Sequence, residues 1–73
     1  MNLNNIGIVI RESRKKNNLS LEVLSGFIGI DTSHLAKIER GEFIPLIDTF
    51  CKIAEALDMK PSELMAKVEK KSI

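Results

Sequence analysis

Residues 20–41 read S-L-E-V-L-S-G-F-I-G-I-D-T-S-H-L-A-K-I-E-R-G. Leu24, Phe27 and Ile28 recur three and four apart, and so do Leu35 and Ile38, the spacing that puts side chains on one helix face. The pattern predicts two short helices, about Ser20–Phe27 and Thr32–Arg40. Ser20 and Asp31 stand where a capping side chain accepts a backbone N–H. The connection Ile28-Gly29-Ile30 is very short, and Gly29 can take a positive φ without a Cβ clash. Two helices joined so tightly cross steeply and share one apolar seam. Gly41 ends the second.

The flanks extend the same architecture. Upstream, Ile6, Val9, Ile10 and Ser13 trace one face of a helix that starts near Ile6, with Asn4 or Asn5 as its cap. Arg14, Lys15 and Lys16 suit the negative end of its dipole, and Asn17-Asn18 is a left-handed stop. Residues 1–5 and 70–73 are expected to fray. Downstream, Pro45 excludes a continuous helix through 42–46 and fits the first turn of the next. Ile47, Phe50, Cys51, Ala54 and Leu57 keep helical spacing, with Ile53 also inward and Asp58 as the stop. Lys60-Pro61-Ser62-Glu63 opens a fifth helix whose apolar face is Leu64, Met65 and Val68. The chain shows no repeat, linker or low-complexity segment. Seventy-three residues and five helical patterns predict a single all-α domain.

Composition bounds the function. The net charge is +1, so phosphate binding must come from local arrangement and not from overall charge. One Cys forbids an internal disulfide and suits a reducing, cytoplasmic setting. No apolar run spans a bilayer, and no basic region precedes the N-terminal apolar residues as in a signal peptide. Catalysis is discounted: one His, one Cys and no glycine-rich phosphate loop leave no enzyme chemistry, metal or cofactor to expect. Cys51 lies on the fourth helix's apolar stripe, where a buried structural thiol is expected. His34 and Cys51 supply too few ligands for a metal site.

The pattern resembles the helix-turn-helix template. Leu24, Ile28, Ile30, Leu35 and Ile38 match its apolar positions, Ser25 its small position and Gly29 its turn. With the extension I-E-R-G at 38–41, the chain from Ile6 to Met65 is similar to the lambda-repressor-like (Cro/C1-type) family. That family includes phage repressors and the controller proteins of restriction–modification systems. The resemblance implies a five-helix DNA-binding domain. In this motif the second helix enters the major groove with its N-terminal residues on base edges. Thr32, Ser33, His34 and Lys37 then face the bases, because Leu35, Ile38 and Ala36 are committed inward or to close packing. Ser20 and the free N–H groups at its helix start suit phosphate, with Lys16 and Arg40 as further phosphate candidates. The family often joins the ends of its first and third helices by an ion pair; the matching residues are Arg14 and Glu39.

The chain departs from the family's pattern at Ser13 (usually Leu), Leu21 (usually Gln), Glu42-Phe43 (usually Lys or Arg), Leu46 (usually Ser or Thr) and Asp58 (often Gly). Fewer polar DNA contacts follow, with exposed apolar residues at Leu21, Val23, Phe43, Ile44 and Leu46. Two functions compete. One is a sequence-specific binder of double-stranded DNA that regulates transcription as a homodimer through Leu64, Met65 and Val68. The alternative for those three residues is that they only close the monomer's core. The other function is a protein-interaction module, an antitoxin or anti-repressor partner, using the Leu21/Phe43/Ile44/Leu46 surface.

Overall fold

Helix α1 spans Asn5–Lys16, α2 Leu21–Ile28, α3 Thr32–Glu39, α4 Ile47–Ala56 and α5 Pro61–Lys70 in the computed structural model, which describes residues 1–71. Residues 72–73, expected to fray, lie outside the described residues. The packing is cyclic: α1 lies on α3 and α5, α2 lies on α3 and α4, and α4 closes on α5. Ile10, Leu24, Leu35, Ile38, Ile53, Leu64 and Val68 are almost wholly buried at the centre. Each large aliphatic side chain removed from water stabilises the fold by about 1.5–3 kcal/mol.

The stops are made as local chemistry dictates. Gly29 has φ +84° and Gly41 φ +82°, while Asn18 and Asp58 are left-handed without being glycine. Asn tolerates this region because its short side chain can bond locally. Ser20 caps α2, its Oγ accepting from the Val23 N–H at 3.1 Å. The Glu63 carboxylate reaches back to the Lys60 N–H at 2.8 Å and closes the start of α5. Asp31 occupies the capping position of α3 but makes no capping hydrogen bond. The same is true of Asn4 before α1. Asn5, expected in a frayed start, is instead buried, and its Nδ2 donates to the Lys71 carbonyl at 3.2 Å.

Three apolar assignments need correcting. Phe27 is exposed, lying beside Lys52, Glu55 and Ala56 on the outer side of α4. It stands about 100° round the helix from Ile28, so the buried seam runs through Leu24, Ser25 and Ile28 instead. Ile47 is also exposed, because it is the first residue of α4 and precedes the turn that meets the core. Cys51 is half-buried, not enclosed.

Gly7 carries a constraint that helical periodicity does not reveal. It is buried in α1 where the C-terminal end of α3 crosses. A Cβ there would overlap the carbonyl oxygens of Ile38 and Glu39. Gly26, by contrast, has nothing within 4 Å of a Cβ position. Gly7→Ala should therefore force α1 from α3 and cost about 2–3 kcal/mol by overpacking. Gly26→Ala should gain up to about 1 kcal/mol from helix propensity. Thermal melts of the two variants check this; equal melting temperatures would show that the α1–α3 approach is not tight.

Candidate nucleic-acid interface

Helix α3 is positioned at both ends. At its C-terminal end Glu39 accepts two hydrogen bonds from Arg14, from Nε at 2.8 Å and from Nη2 at 3.0 Å. Both residues are buried. Arg14 also donates from Nη1 to the Leu19 carbonyl at 2.9 Å, tying the α1–α2 turn to the same guanidinium. The Glu39 carboxylate holds the Arg14 pKa above its ordinary value. At the N-terminal end, the Ser25 Oγ of α2 lies 2.9 Å from the Thr32 Oγ1. Leu35 and Ile38 hold the middle in the core.

What remains outside is a polar face. Ser33, His34 and Lys37 are exposed. Thr32 is half-buried, with its hydroxyl engaged by Ser25. Ala36 is half-buried between α3 and the α2 start. Phe43 folds back against this face. Its ring centroid is 5.6 Å from that of His34, and Lys37 Nζ lies 5.8 Å from it. The contact between ammonium and ring is attractive and holds Lys37 beside His34. Sequence reading assigned Phe43 no part in this face, because the turn through Gly41 that brings it back is not visible as periodicity. Ser25 was legible only as a small residue. Its hydroxyl gains a side-chain partner only because the crossing brings Thr32, seven positions on, beside it.

The phosphate candidates separate. The Ser20 Oγ accepts from Val23, so its own proton stays available to donate, next to the N–H groups that open α2. Arg40 pairs with Glu42, both about half exposed, and such a pair contributes little and exchanges readily. Lys16 lies across α1 from Arg14, in a groove of about 300 Å³ lined by Val9, Glu12, Ser13, Lys67, Lys70 and Lys71. It therefore sits on the α5 side of α1, away from α3. Ser13 opens this groove where Leu would fill it. Lys71 donates to Glu12 at 2.8 Å and depresses its pKa, with smaller help from Lys16 and Lys67.

Burial sorts the dimer and protein-contact assignments. Leu64 and Val68 are 0% exposed and close the monomer's core, so neither can meet a second copy. Met65 is half-buried against the same core. Of the four apolar residues assigned to a protein partner, Phe43, Ile44 and Leu46 are exposed and Leu21 is not fully so. Leu21 is half-buried near Ala36 and Arg40, whereas Phe43 lies on the His34 and Lys37 flank of α3. Ile44, Leu46 and Ile47 are the exposed apolar run, at 50%, 74% and 71%. Among the described residues no His, Cys, Asp or Glu cluster suits a metal ion, and no helix is long and apolar enough to cross a membrane.

Comparison with known proteins decides the family. The Helix-turn-helix family profile matches residues 10–64. The chain belongs to the helix-turn-helix family. It is also similar to a solved structure, the restriction-modification controller protein C.AhdI from Aeromonas hydrophila. The two share 37% identity with a TM-score of 0.80, over 85% of this chain and 94% of that one. No curated protein sequence matches the chain. Membership of this Cro/C1-type helix-turn-helix family makes the protein a DNA-binding regulator of transcription.

Between α1 and α3, the Arg14–Glu39 pair should be strongly coupled. Removing one partner leaves the other charge buried and alone, which costs about 3–5 kcal/mol for buried pairs. Arg14→Ala should cost more than Glu39→Ala, since it also orphans the Leu19 carbonyl. The double variant should cost much less than the sum, as urea unfolding of all four chains would read. Additive losses would mean that the two residues stabilise the fold separately.

Proposed function

We propose that the protein binds a specific double-stranded DNA site as a homodimer, with α3 of each copy in a major groove. The observation that carries this is the polar face of Thr32, Ser33, His34 and Lys37 on a helix whose opposite face, Leu35 and Ile38, is buried. Residues at the N-terminal end of such a helix meet base edges. Ser33 and Thr32 carry hydroxyls suited to bases, and Lys37 can reach a guanine acceptor or a phosphate. Ser20 and the start of α2 hold a phosphate on the flank, and Arg40 can exchange Glu42 for another. The restriction-modification controller protein C.AhdI, 37% identical, supports a regulatory role of this kind.

The dimer contact of this proposal is Ile44, Leu46 and Ile47, at the entry to α4. These residues are exposed where a monomer has no use for an apolar run. Two copies related by a twofold axis would present their third helices to successive major grooves about 34 Å apart on a near-palindromic site. With about three phosphates neutralised per copy, the binding constant should fall with salt at a log–log slope of about −5.

The test is selection of bound duplexes from a randomised library, followed by titration of the enriched site. The wild-type chain should enrich a near-palindrome and bind it with two chains per duplex. Replacing Thr32 and Ser33 together with Ala should flatten base preference within each half-site, with the melting temperature changed by only a few degrees. Absence of any enriched sequence, or a preference that the double variant leaves intact, would overturn the assignment of α3 as the reading helix.

A further inference from the structure

The crossing of α2 and α3 contains a hydrogen-bond chain whose direction is fixed by chemistry. The Ser25 Oγ lies 3.0 Å from the Glu22 carbonyl oxygen and 2.9 Å from the Thr32 Oγ1. A carbonyl oxygen can only accept, so the Ser25 proton points to Glu22. The second contact then needs a proton from the other side, and only the Thr32 hydroxyl can supply it. Ser25 is 3% exposed, which shelters its hydroxyl from competing water. Thr32 is half-buried at the first position of α3. Having given its proton to Ser25, its oxygen has only lone pairs to offer any further partner.

We infer that Ser25 is a specificity-determining residue: by taking the Thr32 proton it makes Thr32 an acceptor-only probe of the major groove. This rests on the reading of α3 as the helix that enters the groove. A free threonine hydroxyl donates or accepts and discriminates poorly. An acceptor-only oxygen accepts from the exocyclic amino groups of adenine and cytosine. It is repelled by the O6 and N7 of guanine and by the O4 of thymine. On the contacted strand, the base facing Thr32 is therefore an amino base, A or C, and not a keto base, G or T. Ser25 acts through Thr32 and touches no base itself.

The experiment compares sequences selected from a randomised duplex library by three full chains: wild type, Ser25→Ala and Thr32→Val. Wild type should hold one position per half-site as A or C on one strand, and Thr32→Val should identify that position by scrambling it. Ser25→Ala frees the Thr32 proton, so G and T should rise at the same position, about tenfold relative to A and C, with the rest of the site unchanged. A discrimination of about 1–3 kcal/mol per good base contact sets that scale. Melting curves of the three chains should agree within a few degrees, because both replacements are small. A wild-type preference for G or T at the Thr32-dependent position overturns the inference. So does a preference that Ser25→Ala leaves unaltered. Strong enrichment that neither variant changes also overturns it while leaving the DNA-binding reading in place. Folded chains that enrich nothing defeat both.

Discussion

An eight-residue helix does not hold itself together in water, and α3 is eight residues long. Its place is imposed by its neighbours. Leu35 and Ile38 anchor it in the core. Gly7 lets the backbone of α1 approach the carbonyls of Ile38 and Glu39. The bidentate Arg14–Glu39 pair then ties the last residue of α3, next to the buried Ile38, to α1. A substitution that moved α1 would move α3, and with it every side chain on the outer face. The requirement that a short helix be held rigid while its N-terminal end stays free explains why the C-terminal end carries the buried charge pair. The N-terminal end carries only a hydroxyl contact.

The distribution of charge follows from that arrangement. The chain is nearly neutral, and the two arginines flanking α3's end both face a glutamate, Arg14 in the interior and Arg40 at the surface. The buried arginine is a structural group. Its carboxylate partner cannot be exchanged for phosphate without leaving a charge unpaired away from water. The surface arginine is different, since an exposed pair can be traded for a phosphate at little cost. Lys67 and Lys70 of α5, with Lys71 just beyond it, line the groove on the far side of α1 with Lys16. On the α3 side the outer face carries one lysine, Lys37, beside the short dipoles of Ser33 and of the Ser25–Thr32 contact.

Five helices in order, their turns and the left-handed stops at Gly29, Gly41, Asn18 and Asp58 were legible because periodicity and turn chemistry are local properties. The core positions of α1 and α3 were legible for the same reason. What failed depended on neighbours. Phe27 and Ile47 fit a helical apolar pattern, but no second element covers them. For Leu64 and Val68 the sequence left a dimer face and core closure both open, and the packing of α5 on α1 and α4 takes the second. Lys16 stood close to the reading unit along the chain, yet about 160° of helical rotation turns it from Arg14 to the opposite side. Ser25, Gly7 and Phe43 gained their roles only where two segments meet, and a single sequence does not display such meetings.

The most direct measurement is an amide chemical-shift titration of the isotopically labelled chain with the duplex that it selects. The expected result is large shifts at Ser20–Glu22 and Thr32–Lys37, with α5 and the lysine groove unmoved and the Arg14 side-chain Nε–H still bonded to Glu39. Shifts concentrated on α5, with none at Thr32 and Ser33, would contradict the placement of α3 in the groove.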